Sequence, residues 1–129
     1  MNKIVTYNQA VALKSLGFDE PCMMFYTDNI KLPCSRINPF PKPKNWNNTE
    51  ISDTKFSAPE LHNAAAWLRR NGWHVQPMLN GVRSMYFVRV YELIGNGDVI
   101  EGERQFEEYD DAVSHGIDLA ITRLNRDKQ

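Results

Sequence analysis

Residues 73–106 read WHVQPMLNGVRSMYFVRVYELIGNGDVIEGERQF, and their reading decides the fold. Extended, largely apolar runs flank Asn80-Gly81 on both sides. Asn-Gly between two extended runs is the strongest short-range hairpin signal, because a type I′ turn needs φ > 0 at both central residues. Pairing outward from that turn sets Leu79 opposite Val82, Pro77 opposite Ser84, Val75 opposite Tyr86 and Trp73 opposite Val88. That face is apolar and is the expected core face. The other face carries His74, Gln76, Met78, Arg83, Met85, Phe87, Arg89 and Tyr91. A one-residue slip would exchange the two faces and bury a histidine and two arginines.

A second turn lies in Gly95-Asn96-Gly97-Asp98. A four-residue loop would set Arg89 against Arg104 and Glu92 against Glu101. A three-residue loop instead sets Val88 against Phe106, Tyr91 against Glu103 and Ile94 against Ile100. Like charges directly opposite destabilise, so the three-residue loop is preferred. The expected strands cover 73–79, 82–94 and 99–106.

Helices are expected on either side. Ser57-Ala58-Pro59-Glu60 has the form of a capping box with proline in the first turn, opening a helix over 58–71 that Gly72 stops. Leu61, Ala65 and Leu68 make its apolar stripe, widened by Ala64 and Trp67. The last helix covers 110–125, with Val113, Ile117, Ala120, Ile121 and Leu124 on one side. Glu107, Glu108, Asp110 and Asp111 sit at its start and Arg123, Arg126 and Lys128 at its end, as the helix dipole favours. One core is expected to hold Leu68, Trp73, Val75, Tyr86, Val88, Phe106, Ile117 and Ile121.

Toward the N-terminus, Thr6-Tyr7-Asn8-Gln9 is another capping box, opening a helix over 7–16 that Gly17 ends. Residues 22–26 have strand character, and 30–32 can return across Asp28-Asn29. A three-residue loop there would bring Cys22 opposite Cys34. Residues 33–56 read as an unstructured, proline-containing loop, with Pro39, Pro41 and Pro43 alternating. Loops of that length are usually functional or disordered; this one reads first as a connector draped over the surface, with a partner-binding arm anchored by Phe40 and Trp46 as the alternative. The order is α-β-β, long loop, α-β-β-β-α. It implies an α+β, two-layer domain with an antiparallel meander packed against helices, which the N-terminal hairpin could extend.

At 129 residues, one domain is the default. No stretch approaches the ~20 apolar residues of a membrane span, and MNKIVTYNQA lacks the apolar centre of a signal peptide. A cytoplasmic protein of a bacterial host cell is expected, with two reduced thiols. Formal net charge is −1. It is unevenly spread: residues 1–56 hold 7 basic and 5 acidic side chains, and residues 57–129 hold 8 and 11.

Three stretches carry a resemblance. They are residues 6–22 (TYNQAVALKSLGFDEPC), residues 57–70 (SAPELHNAAAWLRR), and the long hairpin running into Tyr109-Asp110-Asp111-Ala112, followed by Gly116 and Ala120. Together they resemble small uncharacterised accessory proteins of Bacteroidetes-type phages and prophages. That resemblance implies a phage accessory role and brings no activity and no site residues with it.

There is no G-x-S-x-G, P-loop, H-E-x-x-H or dinucleotide fingerprint. Cys22 and Cys34 are not brought together with His62, His74 or His115 by any spacing. The same five residues are scattered singly, so neither a metal nor a cofactor is expected. Residues 57–126 have the α-β-β-β-α order of the double-stranded-RNA-binding domain, and three strands feeding a helix also resemble the arm-binding domains of phage integrases. The acid run Glu107, Glu108, Asp110 and Asp111 would repel phosphate where the RNA-binding domain needs lysines, so nucleic acid ranks second. A non-catalytic binding protein ranks first. The outer sheet face is too apolar to stand free and must be covered or used, by the N-terminal segment, a second copy in a homodimer, another protein, or a small anionic ligand. The candidate ligand residues are Arg83, Arg89, His74, Phe87 and Tyr91, with the two arginines on one strand face and His74 and Phe87 opposite each other between them.

Overall fold

The computed structural model describes residues 3–28, 33–35, 43–48 and 54–127. The chain is α+β, with antiparallel sheets packed against helices. Its elements are α1 (Tyr7–Ser15), β1 (Met24–Thr27), β2 (Cys34–Ser35), β3 (Lys55–Ser57), α2 (Leu61–Arg70), β4 (Trp73–Asn80), β5 (Met85–Glu92), β6 (Val99–Glu101) and α3 (Tyr109–Asp127). The described strands form two separate sheets, ordered β2-β1-β3 and β4-β5-β6. The fold divides into two compact units, residues 2–60 and residues 61–129.

In the first unit the expected capping box forms. Gln9 N donates to Thr6 Oγ1 at 3.1 Å, and Thr6 N donates to Gln9 Oε1 at 2.9 Å. Ala10, Leu13, Leu16 and Phe18 are buried behind it. The strand pairing differs from expectation. Phe25, not Cys22, pairs with Cys34, while Cys22 bridges Lys44. Residues 30–32, expected to return as a strand, lie outside the described residues, as does Phe40.

Residues 33–56, expected to be unstructured, supply β2, most of β3 and a buried tryptophan. Trp46 is 4 % exposed and lies against Phe25, ring centroids 4.3 Å apart. Its Nε1 donates to Cys22 O at 2.9 Å and its backbone N to Ser57 Oγ at 3.0 Å. Asn47 ties both sides, its Nδ2 donating to Phe18 O and its Oδ1 accepting from Ser57 N. The polar composition that reads as a loop is here a set of side chains replacing ladder hydrogen bonds. Ser57 is thus the end of β3, not a helix cap, and α2 starts at Leu61.

In the second unit α2 and α3 pack on one face of the β4-β5-β6 sheet. Leu68, Trp73, Val75, Val88, Ile117 and Ile121 are buried as expected, joined by Val90, while Tyr86 and Phe106 are half-buried. The alternation of inward and outward residues along β4 and β5 is as expected, but Val82, Arg83 and Ser84 lie in the turn on neither face, and both registers differ. Trp73 pairs with Glu92, Val75 with Val90, Pro77 with Val88 and Leu79 with Tyr86. The turn is therefore residues 81–84, not Asn80-Gly81. Gly81 is absent from the left-handed positions; Ser84 takes φ 54 instead, and Asn80 Oδ1 accepts from Val82 N at 3.2 Å.

Two physical reasons select this register. A two-residue turn would make Leu79–Val82 a hydrogen-bonded pair, and by alternation Pro77–Ser84 another, where proline has no N–H to give. In the observed register Leu93 N donates to Gly72 O at 2.8 Å, so the even residues of β4 bond to β5 and Pro77 faces away. The shift also brings Val90 into the core in place of Ser84 and leaves Val82 97 % exposed.

The second hairpin sets Arg89 against Glu101, Val90 against Ile100 and Tyr91 against Val99, with Glu92 N donating to Asp98 O at 2.8 Å. Opposite charges now face each other, in place of the expected Val88–Phe106 register. The loop is longer than three residues because Glu92 Oε1 turns into it and accepts from Asn96 N at 2.8 Å. Phe106 bridges Tyr86 instead, through two 2.7 Å backbone bonds.

Candidate functional site

The outer face of the β4-β5-β6 sheet gathers four of the five expected ligand residues. His74 pairs with Tyr91, their rings stacked at 6.3 Å and 29°. His74 Nε2 lies 2.9 Å from Gln76 Oε1. Phe87 pairs with Met78, not with His74 as expected. The Arg89 guanidinium lies 5.6 Å from the Phe87 ring centre, and its Nε donates to Glu101 Oε1 at 3.2 Å. Its pKa is raised, first by a side-chain hydrogen bond with Tyr91 and then by Glu101. The positive charge of this face is thus met by its own carboxylate. Arg83 is not on the face; it sits exposed in the 81–84 turn, because the register shift carries it off the strand. Trp46 is not an exposed anchor, since its ring and both its N–H groups are committed inside the first unit.

A second surface of the same unit gathers more basic side chains. An open groove of about 530 Å³ runs between α2 and β4. Its walls are His62, Ala65, Ala66, Arg69 and Arg70 of α2, His74 and Val75 of β4, and Leu93. Helical geometry explains the grouping: His62, Ala65, Ala66 and Arg69 recur at i, i+3, i+4 and i+7, and so share one face. The opposite side of the helix, Leu61, Ala64, Trp67 and Leu68, is buried. Arg69 and Arg70 also sit in the last turn of α2, where the helix dipole favours positive charge.

Arg69 and Arg70 are legible in the sequence as a helix-end pair. What sequence does not supply is that β4 runs beside α2 and closes the groove with Val75. His115 belongs elsewhere; its ring lies 5.5 Å from Phe106.

Other chemistry is poorly served. Burial pushes the Cys22 thiol up to about 11, against a lowering hydrogen bond from Ser57. A buried thiol that stays protonated is a weak nucleophile at neutral pH. Among the described residues no group of three or more His, Cys, Asp or Glu side chains is placed to hold a metal ion, and no helix is long and apolar enough to cross a membrane. Comparison with family models, with curated proteins and with solved structures finds no match for this chain.

Proposed function

We propose that this chain is a non-catalytic binding protein that holds an anionic ligand in the groove between α2 and β4. One observation carries the reading: His62, Arg69 and Arg70 of one helix line a single groove beside β4. Guanidinium groups offer planar forks of donors matched to phosphate and carboxylate oxygens. The outer sheet face suits an anion less well, since Glu101 lies beside Arg89 there. The resemblance to phage accessory proteins fits such a role, in which a small protein captures a host component in the cytoplasm.

The second unit also has the α-β-β-β-α order of a double-stranded-RNA-binding domain. Asp110 and Asp111 occupy the first turn of α3, where that role calls for positive charge, so duplex RNA is the second reading.

Calorimetric titration tests the proposal, with inorganic phosphate, a glutamate-rich peptide and an RNA duplex as probes. At least one of the first two is expected to bind, more weakly at high salt. Arg69→Ala plus Arg70→Ala is expected to weaken that binding about tenfold or more, and lysine at both positions to restore part of it. Binding that survives unchanged in the double alanine variant, or no binding by any probe, overturns the proposal.

A further inference from the structure

We infer that the ligand of this groove is an extended acidic peptide segment of a partner protein, which adds to the outer edge of β4 as a further strand. The inference rests on the binding reading above and narrows it to one ligand class. In the sheet order β4-β5-β6, β4 is an end strand among the described strands. Its hydrogen-bonding alternation is set by the Gly72–Leu93 bond. His74, Gln76, Met78 and Asn80 therefore turn their backbone groups toward β5. Trp73 and Val75 turn theirs the other way, along the edge. Val75 also lines the groove together with Arg69 and Arg70 of α2, so this stretch of the β4 edge borders the basic helix face.

Pro77 limits the template. It occupies the next outward-facing position and offers no N–H, so the edge available to a partner is the N-terminal half of β4. That half is the part beside α2. Ala65 and Ala66 form the middle of the helical wall, and their short side chains leave width between helix and strand. An added strand lies about 4.8 Å from β4 and presents alternate side chains to the same side. Glutamates at every second position would point toward His62, Arg69 and Arg70. Main-chain bonds would supply affinity and the alternate acids specificity, the usual division in strand addition. A compact anion could use the arginines but would leave the edge of β4 unused.

The probe is a capped eight-residue peptide alternating threonine and glutamate, fluorescently labelled and titrated with the full chain. Binding is expected. N-methylation of the residues whose N–H groups face β4 should weaken it about tenfold, and methylation of the other alternate set should not. The Trp73 and Val75 amides should slow in hydrogen exchange on binding, and Arg69→Ala plus Arg70→Ala should raise Kd about tenfold. Equal binding of the two methylated sets overturns strand addition. If inorganic phosphate binds in an arginine-dependent way and the peptide does not, this inference falls and the anionic site stands. Binding of duplex RNA alone overturns the peptide as ligand. No binding by any of the three overturns both.

Discussion

Gly116 shows how tightly one residue can set a contact. It lies within α3, where a glycine costs about 1 kcal/mol relative to alanine. A Cβ at this position would stand 2.5 Å from Val75 Cγ1 and 2.6 Å from Val88 Cγ2. Both valines are β-branched and buried, so neither can swing clear. Gly116→Ala is therefore expected to destabilise: overpacking costs about 1–3 kcal/mol and exceeds the gain in helix propensity. The urea midpoint measures it, and Val88→Ala in the same chain should be less than additive with it. A stabilised Gly116→Ala variant would mean that α3 stands farther off the sheet. The sequence shows Gly116 as a helical glycine but not what it touches. Trp46 is hidden from the sequence for a related reason. Its asparagine-rich surroundings look like loop, yet Cys22 O accepts from the indole N–H, and Ser57 and Asn47 satisfy the backbone around it.

Among the elements, β4 carries the most information. Its partners in β5 are displaced from the expected ones, and the displacement has a legible cause: Pro77 cannot serve an inward-facing position. The register makes a sharp prediction. Met78 bonds to β5 and Leu79 faces outward, so Met78→Pro should cost about 3 kcal/mol or more and Leu79→Pro much less. Thermal melts of the two variants would check it. Reversal of that order would restore the two-residue turn. The second hairpin follows the principle that opposite charges are preferred over like ones, but reaches a different pairing, Arg89 with Glu101. The unforeseen part is Glu92, whose side chain leaves the ladder to hold the loop.

Across the whole molecule, buried ionisable groups predict a pH response. The Cys22 thiol is raised by burial from its usual 9.0 to about 11, and burial raises Tyr26 as well. Both groups are held in their neutral forms by the folded chain. The contribution from Cys22 is complete below pH 9 and is lost as pH rises toward about 11, because the unfolded thiol ionises first. The urea midpoint should fall over that interval, and should fall less in Cys22→Ala. Parallel curves for the two proteins would show that Cys22 is not buried.

The sequence by itself determined the α+β class, the α1 capping box, the glycine after α2, and which strand residues face the core. Those features rest on local chemistry and on periods of 2 and 3.6, which any neighbourhood preserves. Tertiary structure alone decided the strand registers, the separation into two sheets, the burial of Trp46 and the groove beside α2. The physical reason is that a period-2 pattern survives any even shift in pairing, so the same faces fit several registers. Lengthening a turn by two residues costs little entropy. The choice then falls to contacts distant in sequence: Val75 and Val88 beneath Gly116, Pro77 at the outer edge, and α2 folded back beside β4.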